Sequence, residues 1–223
     1  MNNQAGRGGG AGLPAHEQVY RTLRDMVLFG ELAPGQAVTI QGLVADLGTG
    51  MTPVREALRR LTAEGALEAL GNRRIVVPQL TAPAVEEMTR ARTALEPMLA
   101  RHAAERAGPA DIAALAETDS RLDQAIARGD IGAYLKENHQ FHAQFNALAQ
   151  APIITALVES LWLRFGPSLR VVCGQVGTRN LPDRHKELLD ALERRDGAAA
   201  AVAIEKDVVQ GMSLILHGLA GAA

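Results

Sequence analysis

Thr52, Arg55 and Arg59 stand at i, i+3 and i+7 on one side of a short helical pattern whose other side carries Val54, Leu58 and Leu61. Arginines grouped in this way can fork onto guanine O6 and N7 or hold the phosphates of duplex DNA. Arg73 and Arg74 follow between two short β-prone runs, where a hairpin tip would carry them to an adjacent groove or backbone. The bland alternative is a solvated helix face, since arginine supplies 20 of the 23 basic residues. A second group consists of imidazoles and one carboxylate. Asn138 and His142 lie four residues apart and share a helix face, His185 stands early in a later helix, and Asp207 falls in the middle of the last one. Spacing alone does not link Asn138 to Asp207. His139, turned about 100° from Asn138, reads as a surface residue. Trp162, the single tryptophan, reads as packing at a helix interface, and His16, His102 and His217 show no partner pattern.

The elements that must position these groups divide the chain in two. Residues 1–14 are Gly-rich and aperiodic, which predicts a disordered leader. Up to residue 78 the chain holds 8 basic and 7 acidic residues, and the rest holds 15 and 18, so only the first part suits a polyanion. In that part, three short helices are expected: Ala15 to Phe29, a second behind a Thr39 cap, and a third started by Thr52-Pro53 after the turn Gly48-Thr49-Gly50. Leu67 to Leu70 and Ile75 to Val77 then form a hairpin. Helix, helix, turn, arginine-bearing helix and arginine-tipped hairpin make a winged helix-turn-helix, and the order as a whole favours DNA over the solvated face. An aromatic content of 3% argues against single-strand binding by base stacking, which leaves duplex DNA.

From 79 to 223 the pattern is helical throughout. Thr81 caps a helix closed by Gly108-Pro109, and Gly129-Asp130, Ala151-Pro152, Gly166-Pro167, Leu181-Pro182 and Asp196-Gly197 punctuate the remainder. The fold class is mainly α: a winged helix-turn-helix followed by an antiparallel bundle of six or seven helices. No apolar run reaches the length of a bilayer span and no secretory h-region is visible, so no membrane partner and a cytoplasmic location are expected. Cys173, the single cysteine, excludes an internal disulfide and a Cys-rich zinc site. It reads as a small core residue.

The run from Leu43 to Leu61, with Thr52-Pro53-Val54-Arg55-Glu56-Ala57-Leu58 at its centre, resembles the LAxxLGVSRTPVREALxxL signature of GntR-type transcriptional regulators. Arg92 to Glu96, Phe141-His142, and His185 followed by Leu188 to Leu192 are similar to the helical effector-binding (FCD) domain of the FadR subfamily. The resemblance spans about residues 15 to 218. It implies a homodimer that binds a palindromic operator and senses a small metabolite, often a carboxylate. It also implies a divalent metal site at four positions that in the family look like Asp, His, His, His and here read Asn138, His142, His185, Asp207. Zinc, nickel and manganese are the candidate ions. An amide oxygen in place of a carboxylate suits harder ions better than zinc. A metal-free pocket, with the histidines and Asp207 bonded to one another, is the alternative.

Arg92 is the candidate to hold an effector carboxylate, because family members use an arginine in this segment; an i, i+4 ion pair with Glu96 is its alternative. Met51 stands where the family commonly has arginine, so a base or phosphate contact is lost and the operator should differ. The rival function is a metal-dependent helical-bundle enzyme carrying a DNA-binding domain, although no Glu-x-x-His pair recurs on two helices. A DNA-binding architectural protein without a ligand would leave His142 and His185 unexplained.

Overall fold

The computed structural model describes residues 13–71, 74–177 and 184–221. Residues 1–12 of the expected leader, Arg73 and the Leu181-Pro182 break therefore lie outside the described residues, while Pro14 is the N-cap of the first helix. Helix α1 (Ala15–Leu28) buries Leu23, Val27 and Leu28, and packs on α3 (Met51–Ala63), which answers with Val54, Ala57, Leu58 and Leu61. Between them, α2 (Ile40–Leu47) is capped by Thr39, whose Oγ1 accepts from Gly42 N at 3.1 Å. Gly48 ends it at φ 59°, a left-handed turn that suits glycine. Helix α3 begins two residues earlier than the Thr52 cap would require: Gly50 is its N-cap, with no side-chain bond, and Thr52 already lies in the first turn. The Thr52 hydroxyl is thereby left on the exposed face.

The expected hairpin is there and acquires a third strand. β1 (Ala37–Val38), β2 (Glu68–Ala69) and β3 (Ile75–Val76) form an antiparallel sheet of order β1-β3-β2, pairing Ala37 with Val76 and Ala69 with Ile75. The helical part holds six helices among the described residues: α4 (Ala82–Arg106), α5 (Pro109–Arg128), α6 (Ile131–Leu148), α7 (Pro152–Val176), α8 (His185–Glu193) and α9 (Gly197–Gly221). Thr81 caps α4 and Asp130 caps α6, accepting from Ala84 N at 3.4 Å and Ala133 N at 2.9 Å. Buried alanines on α4 (Ala100, Ala103, Ala104) and on α9 (Ala200, Ala203) let these two backbones approach as the main packed pair. No helix among the described residues is long and apolar enough to cross a membrane.

Gly166-Pro167 is not a break. Helix α7 runs through it, giving up only the bond that Pro167 cannot donate, because Trp162, Leu163, Phe165 and Leu169 are buried on either side. The glycine has another purpose: a β-carbon there would lie 2.2 Å from the Leu28 carbonyl oxygen, where α1 seats on α7. A backbone carbonyl cannot rotate aside. Gly166→Ala is accordingly expected to lower stability by about 1–3 kcal/mol through overpacking. Urea denaturation reads this, and a wild-type midpoint would show that the two helices do not meet so closely.

Candidate functional site

On the winged domain, Met51, Thr52, Arg55 and Arg59 are all exposed along α3, and Arg74 is exposed beside β3. Among the described residues Arg59 forms an ion pair with the exposed Glu56 alone, at 3.3 Å, a contact too solvated to hold it. Arg60, one position on, is committed elsewhere. Its guanidinium lies 3.5 Å from the Tyr20 ring centre and bonds Glu17 and Glu64 at 3.1 Å each, tying α3 to α1. Thus Arg55 and Arg59, and not Arg60, remain turned outward.

In the bundle, three of the four assigned ligands converge. His142 from α6, His185 at the start of α8 and Asp207 from α9 each offer a donor atom within 4.8 Å of the others. Asn138 lines the same cavity one helical turn before His142. His142 Nε2 lies 3.2 Å from Asp207 Oδ2, and its Nδ1 lies 3.6 Å from Glu96 Oε2, an ionic contact longer than a hydrogen bond. His185 Nδ1 is 3.2 Å from Asp119 Oδ1, and the ring stacks on Phe141 at 3.8 Å. Each imidazole therefore has a carboxylate behind Nδ1, which fixes ring orientation and makes Nε2 the nitrogen to reach an ion. Two imidazoles, one carboxylate and an amide wall suit a divalent ion in chemistry and in spacing.

Burial works against a proton on His142, but the close Asp207 contact and the charges of Asp207 and Glu96 outweigh it and raise the pKa to about 9. Burial likewise pushes Asp207 up, and the His142 contact overcomes it, holding the carboxyl at about 2. Glu96 is held low against its own burial by Arg92 and His142. Arg92 adopts the ion pair: Nε donates to Glu96 Oε1 at 2.5 Å and Nη2 to Oε2 at 3.2 Å. It still lines the cavity, with its guanidinium carbon 5.0 Å from the Trp162 ring and 4.5 Å from that of Phe165. The cavity measures about 40 Å³, room for roughly three waters at 10–15 Å³ each and too little for a metabolite of many atoms.

Two readings change. His139 is not on the surface: it is 13% exposed, edge-on to Trp162 and Phe29, and 3.3 Å from Glu159. Helix periodicity placed it away from Asn138 correctly, but the side it faces is covered by α7 and by Phe29 at the end of α1. Glu96 and Asp119 were overlooked as members of the site. The signal was present, because Asp119 sits between Leu115 and Leu122 on the apolar face of α5, where an acid must have a partner. Cys173 is buried as expected, and burial pushes its thiol up to about 12.

Comparison with known proteins agrees with this architecture. Residues 15–77 match the model of bacterial regulatory proteins of the gntR family, and residues 87–209 match the FCD domain. The chain is 29% identical over 201 residues to the HTH-type transcriptional regulator McbR of Escherichia coli K12, covering 89% of this chain and 91% of that protein. It is 24% identical to the transcriptional repressor RspR of the same organism, covering 83% and 82%. The solved McbR/YncC structure superposes with a TM-score of 0.87 at 28% identity, over 92% of this chain and 99% of that one. A GntR structure from Rhodococcus sp. RHA1 shares the fold, at 0.74 and 22% identity over 91% and 97%. Families and relatives alike are regulators, which gives the metalloenzyme alternative no support. The chain belongs to the GntR family of bacterial regulatory proteins, in its FadR-type branch, and is a DNA-binding transcriptional regulator with a helical FCD effector domain.

Proposed function

We propose that two copies of this chain bind a palindromic duplex operator through residues 15–78, and that residues 79–223 adjust this binding in response to a small carboxylate. Met51, Thr52, Arg55 and Arg59 enter the major groove, and the wing arginines Arg73 and Arg74 reach the adjacent backbone. His142, His185 and Asp207, with Asn138 beside them, hold a divalent transition ion such as zinc, nickel or manganese. When bound, that ion supplies the positive charge for an effector carboxylate, and Arg92 orients the effector from within its pair with Glu96. The observation that carries this reading is the convergence of three donor atoms within 4.8 Å at a cavity of the domain that does not bind DNA.

Selection of duplexes from a random pool tests the DNA half, and an inverted repeat is the expected product. Arg55→Ala and Arg59→Ala should each weaken binding to it by about 1–3 kcal/mol if a base contact is lost. Variants that bind like wild type would place another face of α3 on the DNA. Met51→Arg should change the selected half-site more than it changes stability. Elemental analysis after exposure to zinc, nickel or manganese tests the metal half, and protein that retains none of them would leave the metal-free pocket as the better account.

A further inference from the structure

The ligand cavity and the DNA-binding domain share a wall on α7. Glu159, Trp162, Gly166 and Arg170 stand at i, i+3, i+7 and i+11, along one stripe of that helix. Three of them touch α1 or its end. Arg24 Nη2 donates to Glu159 Oε2 at 2.5 Å, Gly166 lies under the Leu28 carbonyl, and Arg170 Nη1 donates to Phe29 O at 3.2 Å. The fourth, Trp162, lines the cavity with its ring centre 5.0 Å from that of His142. The same ring meets His139 edge-on at 5.2 Å. His139 in turn meets Phe29 at 5.9 Å and stands 3.3 Å from Glu159 Oε2, the oxygen that Arg24 holds.

Space requires one wall to move before a metabolite can enter a cavity of about 40 Å³. Arg92 is held by Glu96, His142 by Asp207 and His185 by Asp119. The Trp162 Nε1–H is buried with no acceptor among the described residues, so displacing the indole breaks no hydrogen bond of its own. It is also the bulkiest group on the lining.

We propose that Trp162 is the residue through which an occupied cavity acts on the winged domain. A ligand displaces the indole, the indole shifts His139 from Phe29 and Glu159, and the Glu159–Arg24 contact that seats α1 loosens. Because α1 and α3 share one buried core, re-seating α1 re-aims Arg55 and Arg59. This rests on the regulator reading above and adds the residues that transmit the signal.

Trp162 is the only tryptophan, so its emission reports on this wall alone. Linkage is reciprocal: a wall that carries a signal from cavity to DNA also carries one from DNA to cavity. Full-length wild type, titrated with a duplex it has itself selected, is expected to show a saturable change in Trp162 emission that tracks binding. Glu159→Gln is expected to abolish that change and to alter duplex affinity by about fivefold or more, the lower end of typical coupling. Arg24→Gln cuts the same contact from the other domain and carries the test should Glu159→Gln fail to fold. Glu205→Gln, exposed and off the stripe, should leave both readouts as in wild type. Selective duplex binding with unmoved Trp162 emission, or a Glu159→Gln response equal to wild type, overturns the coupling alone. A chain that selects no duplex overturns the coupling and the regulator reading together.

Discussion

Lowering the pH from about 8.5 to about 6.5 is expected to weaken divalent-metal binding by roughly a hundredfold, tenfold per pH unit, because an ion must displace one proton from His142. In the metal-free protein this imidazole lies between Asp207 at 3.2 Å and Glu96 at 3.6 Å. Burial alone would lower its pKa, but the two carboxylates outweigh burial and raise it to about 9, well above the ordinary 6.5. An unperturbed histidine would confine the acid sensitivity to the range near 6.5; the carboxylates extend it above neutrality. Stability of the metal-free protein has the opposite slope. A raised histidine pKa contributes stability that is fully present below pH 6.5 and is lost as the pH rises through 9, on the order of 3 kcal/mol in all. Asp207, held at about 2 by its His142 contact against its own burial, contributes stability present above 3.8 and lost as the pH falls through 2. Melting with a chelator should therefore fall between pH 6.5 and 9, while protection by added zinc grows over the same range. His142→Gln should flatten both curves. Zinc affinity that stays level from pH 6.5 to 8.5 would falsify the claim that His142 is protonated in the metal-free site.

The winged domain was legible because its signals are local. Thr39 caps α2, Gly48 takes the left-handed turn, and the i, i+3, i+4 stripes of α1 and α3 are the ones that become buried. β1 was not legible, since Ala37–Val38 becomes a strand only when β3, almost forty residues away, supplies the ladder. The same limit explains α7. Gly-Pro is a sound stop signal for an isolated helix, but here burial of Phe165 and Leu169 offsets one missing hydrogen bond. For the candidate site, helix phase placed Asn138 and His142 on one face, but the resemblance to a family was needed to join them to His185 and Asp207. Helix phase set Asp119 on an apolar face without naming its partner, and neither signal singled out Glu96. Asp119 lies 66 residues from His185, and Glu96 read only as a neighbour of Arg92 until the fold set it behind His142.

Arg92→Ala is expected to destabilise the metal-free protein by about 3–5 kcal/mol, the cost of breaking a buried ion pair from one side. The two side chains are 4% and 0% exposed, and the guanidinium makes two bonds to the carboxylate while resting near Trp162 and Phe165. Without it, Glu96 keeps only the 3.6 Å contact with His142, and burial then drives its pKa upward. Arg92→Leu combined with Glu96→Leu should recover much of the loss, because an apolar pair of similar volume carries no unmet charge. Urea denaturation of the single and double variants measures both terms. An arginine held ready for an effector, with no partner of its own, could be truncated at little cost in stability, so a loss below about 1 kcal/mol for Arg92→Ala would contradict the pairing. If the larger loss is found, an incoming carboxylate meets a guanidinium whose charge Glu96 has already met, in a site that also holds Asp119 and Asp207. On the proposed reading its attraction to the cavity then comes chiefly from the metal ion that His142, His185 and Asp207 would hold, and effector binding should disappear when metal is withheld.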